Sequence, residues 1–312
     1  MKALYAARVD HQNPLSCLEF GDRPEPEPAA GWTTLQLVAA SLNHHDIWSL
    51  RGVGLSTDRV PMILGCDAVG RDVAGDLFLV HPVIHRPPAP SVLSERVQGT
   101  FAEQLSVPTE NLIALPAGLS AEHAACLPTA WLTAYRMLFT RAQLTAGQTV
   151  LVQGASGGLA TALIMLAKNA GVRVWVTGRT AESRAFATTL GADDVFPVGT
   201  RLPELVDAVM DSVGAVTWQH SLKCLKPGGI MVVSGGTSGY DVNINIAVVF
   251  ARQLRIEGSS MGTVDELQAL ATLCATEKIS PPIEAILPLS EGRGGFAAMH
   301  DGTARGKIVF VP

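Results

Sequence analysis

The chain has 312 residues, 47% hydrophobic and 16% charged, enough apolar material for the cores of two domains and too much for disorder. A formal net charge of −5, with no Lys/Arg-rich run, excludes the basic footprint of a nucleic-acid binder. No apolar run reaches the ~18 residues of a membrane span, the start MKALYAARVD has no apolar signal region, and the cysteines at 17, 66, 126, 224 and 274 never form a C-x-x-C pair, so the sequence reads as a cytoplasmic protein with free thiols.

Residues 1–118 are β-rich. Leu35–Ala39, Leu77–Val83 and Phe101–Val107 are strand-like, and Pro/Gly-rich turns at Pro24–Gly31 and His85–Pro90 separate them. This spacing predicts a compact barrel-like domain. A helix opens at Gly118-Leu-Ser-Ala-Glu and is broken or kinked at Pro128.

Thr149–Gln153 then reads as a buried strand, followed by the turn Gly154-Ala155-Ser156-Gly157-Gly158. Leu159, Leu163, Leu166 and Ala170 recur at helical spacing, and Val172–Thr177 is a second strand. Strand, glycine turn, helix and strand form the unit that offers a helix N-terminus to a dinucleotide pyrophosphate. Read as G-x-G-x-x-G, the three positions are Ala155, Gly157 and Ala160. Ala155, Ser156, Gly157, Gly158 and Leu159 are therefore candidate cofactor contacts. The second strand ends in Gly178-Arg179-Thr180, without the acid that an NAD enzyme sets against its ribose. Arg179 offers charge, and Thr180 a hydroxyl, to a 2′-phosphate, so the predicted cofactor is NADP(H).

Further on, the pattern predicts a helix over Ala181–Leu190, a strand at Asp194–Pro197, a helix from Pro203 and a strand over Ala208–Val213. A helix over Val216–Leu225, a turn at Pro227-Gly-Gly and a strand at Ile230–Ser234 follow. Alternation of this kind means an α/β fold with a doubly wound parallel sheet. Thr263-Val-Asp-Glu266 is a capping box, and strands at Ile283–Leu287 and Lys307–Val311 flank a helix near 290–300.

SLNHHDIWSLRG (41–52), PMILGCDAVG (61–70), GTFAEQLSVPTENLIALPAGLS (99–120), AACLPTAWLTAYRML (124–138), PGGIMVVSGGTSG (227–239) and GKIVFVP (306–312) together resemble the medium-chain dehydrogenase/reductase superfamily, in family order. The likeness is strongest to its zinc-free quinone-oxidoreductase-like branch. It implies a GroES-like β-barrel catalytic domain over 1–118, completed by 283–312, and a Rossmann dinucleotide-binding domain over 119–282, with the active site in the cleft. It also implies a homodimer joined through strands near 230–260.

Zinc alcohol dehydrogenases of that superfamily hold zinc with Cys, His and a third Cys or acid. The matching positions here are Asn43, Cys66 and Thr129, an amide, a thiol and a hydroxyl, which is not a zinc donor set. An unorthodox site joining Cys66 to a neighbouring histidine is the alternative. Without zinc, the reasonable acceptors are quinones and α,β-unsaturated carbonyls, which carry the incoming charge on their own oxygen.

By resemblance, Asn43 donates to substrate or ribose and Thr129 faces the nicotinamide, with Thr133 a second candidate there. His44 and His45 point different ways, so one at most faces the substrate. Asp46 orients or caps. Cys66 and Asp67 lie on an active-site turn. Trp48 and Gly54 replace tyrosines common in relatives, which leaves solvent as the proton source. Ser183 stands where relatives carry a Lys, and Arg184 or Arg179 is its substitute. The remaining implied cofactor contacts are Val213, Gly235, Gly236, Thr237, Ser259, Ser260, Met261 and Lys307. A zinc alcohol dehydrogenase and a catalytically idle NADPH-binding protein are the competing readings.

Overall fold

The computed structural model describes residues 1–27, 29–85 and 89–312, so parts of the Pro24–Gly31 and His85–Pro90 turns lie outside the described residues. Contacts divide the chain into one unit of Met1–Ala130 with Thr263–Pro312, and a second of Trp131–Gly262. The second unit is shorter at both ends than the expected 119–282. Residues 119–130 cluster with the first unit because their helix packs on strands of that unit's large sheet.

The first unit opens with β1 (Lys2–Ala6), β2 (Leu18–Asp22) and β3 (Trp32–Ser41), then α1 (His44–Leu50), β4 (Met62–Ile63) and β5 (Asp67–Arg71). β6 (Leu77–Val80), β7 (Val83–Ile84), β8 (Ser91–Val92), β9 (Gln104–Pro108), β10 (Leu112–Ala114) and the short α2 (Ala121–Ala124) follow. The strand expected over Leu77–Val83 is two pieces, β6 and β7, and that expected over Phe101–Val107 begins only at Gln104. Pro128 does not end the helical path: it sits in a π-helical turn, Leu127–Trp131, whose looser bonding tolerates the missing N–H.

The second unit comprises α3 (Leu132–Tyr135), β11 (Thr149–Gln153), α4 (Gly158–Asn169), β12 (Arg173–Gly178), α5 (Ala181–Thr189), β13 (Asp194–Pro197) and β14 (Val206–Asp211). α6 (Trp218–Cys224), β15 (Leu225–Val233), α7 (Ile246–Ala251) and β16 (Arg255–Gly258) complete it. Its sheet runs β13-β12-β11-β14-β15-β16 with every pair parallel, which is the doubly wound order. The order reverses between β11 and β14, the switch point outside whose strand ends ligands bind. No helix starts at Pro203: too few residues separate β13 from β14, and Glu204 instead pairs with Arg173. Pro227-Gly-Gly is not a free turn either. It lies inside β15, where a register shift against β14 absorbs the missing donor.

The tail, α8 (Val264–Glu277), β17 (Ile283–Pro288), α9 (Gly292–His300) and β18 (Lys307–Val311), returns to the first unit. Thr263 Oγ1 accepts from Glu266 N while the Glu266 carboxylate accepts from Thr263 N, the capping box read from sequence. β18 enters a sheet ordered β10-β6-β5-β3-β18-β17, with β9 also paired to β3, while β2-β1-β4 form a smaller sheet. The two sheets share one apolar core, from Leu4 and Leu18 to Leu35, Phe101 and Phe310. Phe101 meets Phe310 edge-on, ring centroids 5.0 Å apart. Gly65 passes over this ring with φ +92°, and a Cβ there would lie 2.4 Å from Phe101 Cδ1, so only glycine allows the turn that presents residues 66 and 67.

Candidate active site

In the first unit a polar cluster is assembled where β3 ends, α1 and β5 begin, and β18 starts. Asp67 is fully buried. Its Oδ2 accepts from Ser41 Oγ and Asn43 Nδ2, each at 2.8 Å, and its Oδ1 from Thr129 Oγ1 at 2.5 Å. Lys307, 1% exposed, donates from Nζ to Leu42 O (2.8 Å) and Asn43 Oδ1 (2.6 Å), and its Nζ lies 3.6 Å from Asp67 Oδ2. Asn43 also begins α1, and Asp46 on the first turn reaches back to Asn43 N (2.8 Å) with Oδ2 while Oδ1 accepts from Gly65 N (3.0 Å). Cys66 Sγ lies 3.5 Å from Thr129 Oγ1 and 3.9 Å from His45 Nδ1, and His45 Nε2 lies 3.2 Å from Glu95 Oε1.

The electrostatics follow from depth. Burial pushes the Asp46 carboxyl up to about 6. Burial first, then the charges of Asp46 and Asp67, push the Cys66 thiol well above its ordinary value, so it is a neutral thiol and no nucleophile. Burial works against a charged His45, but the Glu95 hydrogen bond and the charges of Asp46, Glu95 and Asp67 outweigh it and raise its pKa. His44, exposed at one edge, goes the other way: crowding by protein, then the charges of Lys307 and Arg51, lower its pKa.

Asn43, Cys66, Asp67 and Thr129 thus lie together. Asp46 does not reach them, because both its oxygens hold backbone amides. Lys307, expected among cofactor contacts, instead joins the carboxylate cluster. His45 rather than His44 adjoins Cys66. Glu95, half a hundred residues away in a loop, gave no sequence signal, nor did Ser41.

In the second unit the nucleotide candidates line the strand ends. Gly154 turns with φ +102°, and Gly157 caps α4 without a side-chain bond, with nothing within 4 Å of where its Cβ would stand. Gly157 is exposed, which leaves room for an anion beside the first turn of α4. Ala155 is buried against the end of β12, where Gly178 has no room for a side chain: its Cβ would lie 3.0 Å from that of Ala155. Thr180 Oγ1 accepts from Ser183 N and caps α5, which leaves its hydroxyl proton as the donor it can offer. Arg184 Nη1 donates to Gly178 O at 2.9 Å, and Arg179 is exposed beside it. Ser156, Gly158 and Leu159 are half-buried along the turn, and Thr133 is buried on α3.

Val213 lies in a loop held by Asp211, a fully buried residue that sequence reasoning passed over. Asp211 Oδ1 accepts from Val213 N and Gly214 N, and Oδ2 from Ser221 Oγ, while Gln153 and Thr177 extend the network across β11 and β12. Gly235 and Gly236 pack against Ser212 and Gly239, and Thr237 N donates to Ser212 O. Ser259 is buried with its Oγ unpartnered among the described residues, Ser260 is exposed, and Met261 takes φ +44°.

A doubly wound nucleotide unit set in the sequence between the two segments of a β-rich unit defines a dinucleotide-dependent oxidoreductase of the two-unit kind. Residues 158–276 match the family described as "Zinc-binding dehydrogenase". The chain is 31% identical to a quinone oxidoreductase of Pseudomonas aeruginosa, over 81% of this chain and 82% of that one. It is 29% identical to an acryloyl-coenzyme A reductase of Metallosphaera sedula, over 94% of this chain and 96% of the relative. The crystal structure of an NAD-dependent alcohol dehydrogenase superposes with a TM-score of 0.91 at 29% identity, covering 100% of both chains. The chain belongs to the medium-chain dehydrogenase/reductase superfamily and is an oxidoreductase.

The segment matched to the zinc-binding family contains none of Asn43, Cys66 and Thr129. Those three do not fit a zinc ion: one thiol with an amide and a hydroxyl is no zinc donor set, and the amide and the hydroxyl both donate to Asp67. His45, Asp46 and Cys66 do bring ligand atoms within 4.8 Å of one another. That cluster fits no better, since the Asp46 oxygens hold two amides and His45 Nε2 faces Glu95.

Proposed function

We propose that the protein is an NADP(H)-dependent reductase that acts without catalytic zinc on an α,β-unsaturated carbonyl compound or a quinone. The observation that carries the reading is the buried amide–carboxylate–hydroxyl cluster at the positions where zinc-dependent relatives hold the metal. With no Lewis acid to polarise a plain alcohol, the favoured acceptors delocalise the incoming charge themselves.

The α4 amides after Gly157 would hold the pyrophosphate, and Arg179 with Arg184 the 2′-phosphate. Val213, Gly235 to Thr237 and Ser259 to Met261 would line the rest, with the unpartnered Ser259 Oγ ready for a polar group. When bound, the cofactor supplies the hydride. The chain's own part is to fix the acceptor beside the cluster of Asn43, Cys66 and Thr129, which Asp67 and Lys307 hold rigid.

β16 is the outer strand of its sheet, and Ile246 and Phe250 on nearby α7 are exposed, which favours a homodimer joined along that edge. The enzyme is tested by oxidation of NADPH and NADH with 9,10-phenanthrenequinone and with acryloyl-coenzyme A, with and without a strong chelator. Chelator-resistant turnover with NADPH is expected. Turnover abolished by chelator overturns the zinc-free reading, and equal use of NADH overturns the cofactor preference.

A further inference from the structure

We infer that His45 is the acid that protonates the reduced substrate and that Glu95 is its positioning residue. The inference rests on the reductase reading and supplies the proton source that the sequence left to solvent. Asn43 and Thr129, the other candidate donors, direct Nδ2 and Oγ1 at Asp67. The Trp48 indole can donate a hydrogen bond but is no proton acid.

His45 and Glu95 form a pair whose side chains are 15% and 22% exposed, so both are largely shielded and each keeps a small exposed area. Nε2 faces Glu95, and among the described residues the other ring nitrogen meets the thiol sulfur of Cys66 at 3.9 Å, a weak partner that leaves its proton transferable.

Glu95 is held in place by a turn built for it. Its Oε2 accepts from Val92 N at 3.0 Å, which leaves Oε1 for the imidazole. Glu95 N donates to Val92 O and Ser94 N to Val97 O, and Ser94, fully buried, takes the left-handed conformation at φ +70°. From the opposite side, Arg59 Nη1 donates to Glu95 O. A Cβ on residue 54 would lie 2.6 Å from Glu95 Oε1, so glycine there leaves room for the carboxylate. Base, orienting carboxylate and supporting loop are the parts that acid catalysis by histidine requires. The charged groups facing the ring are Glu95 from the loop, Asp46 from α1 and Asp67 from β5, all of which favour the imidazolium, while Cys66 stays neutral.

The step balances as follows. When bound, the reduced cofactor would supply a hydride to the β-carbon, the C=C π bond would break, and its pair would move onto the carbonyl oxygen as an enolate. The Nδ1–H bond of His45 breaks as its proton passes to the enolate, and water then reprotonates the neutral ring. For a quinone, the phenolate oxygen takes the same proton.

The test combines ring nitrogen NMR of histidine-labelled protein with steady-state kinetics on His45→Gln, His45→Ala and Glu95→Gln. Near neutral pH the wild-type His45 ring should give the imidazolium pattern, and Glu95→Gln the neutral one. His45→Gln should lower kcat about 100-fold with KM within about threefold of wild type, and added imidazole should restore part of the loss in His45→Ala. A neutral His45 ring in the wild type overturns the pairing with Glu95. An active wild type with an equally active His45→Gln overturns the donor role alone. A wild type that reduces neither substrate overturns the reductase reading and the donor role together, while the ring spectrum still reports whether Glu95 holds the charge.

Discussion

Replacing Asp67 with Asn tests whether the cluster is held by a buried charge pair. The side chain keeps its size, but one acceptor oxygen becomes an NH2 donor and the carboxylate charge is lost. The hydroxyls of Ser41 and Thr129 can rotate away; the Asn43 amide cannot, because its own Oδ1 is held by Lys307 at 2.6 Å. The Lys307 ammonium, 2% exposed as a side chain, then lacks its counter-charge. Removing one partner of a buried pair costs about 3–5 kcal/mol. With a urea slope of about 2 kcal/mol/M, the unfolding midpoint of the first unit should fall by about 2 M. Adding Lys307→Met removes the stranded charge and should recover about half of the loss. Urea titrations followed by tryptophan fluorescence read both. A cost below about 1 kcal/mol for Asp67→Asn, or additive effects in the double variant, would refute the account.

Gly157→Val sets its Cβ where nothing beyond its chain neighbours lies within 4 Å, so its stability should stay within about 0.5 kcal/mol of wild type while the NADPH Kd measured by fluorescence rises at least ~100-fold; a stable variant that binds normally removes the phosphate cradle from that turn. Arg179→Glu should weaken NADPH binding by about 10- to 100-fold and leave NADH nearly unaffected, as calorimetry would show. Gly65→Ala forces a Cβ onto Phe101 at positive φ and should destabilise the first unit by at least ~2 kcal/mol in the same urea assay. Asp46 binds its proton more tightly folded, at about 6, than unfolded, at 3.8, so its contribution to stability is full below the unfolded value and is lost as pH rises to about 6. Wild type minus Asp46→Asn stability should thus fall by about 3 kcal/mol across that window, and parallel curves would contradict it.

Periodicity carried the nucleotide unit because strand, glycine turn and helix are neighbours in sequence, and β11, α4 and α5 lie within a residue or two of where spacing put them. Failures came where local signals met competing demands. Pro203 reads as a helix start only if the chain has room for a helix, and Pro227-Gly-Gly reads as a turn only if no bulge can absorb it. In the site, adjacency in sequence exposed Asn43 with His44 and Cys66 with Asp67, but could not tell which way each side chain faces. The Thr180 hydroxyl suits a phosphate and also caps α5, while Asp46 caps α1, as its place at a helix start allows. Glu95 was invisible for a different reason: its meaning depends on a loop conformation fixed by Ser94 and on the space left by Gly54.

The position of Lys307 also sets an order of events on the ribosome. Leu42, whose carbonyl it binds, is made 265 residues earlier. At about 5–20 residues per second, some 15–50 s pass before that lysine is added. When Lys307 is added β3 still lacks its β18 neighbour, whereas every residue of the nucleotide unit has by then been translated. The nascent protein therefore carries an open sheet edge and an unanswered carboxylate until β18 arrives, and it is at that stage that chaperones would act on it.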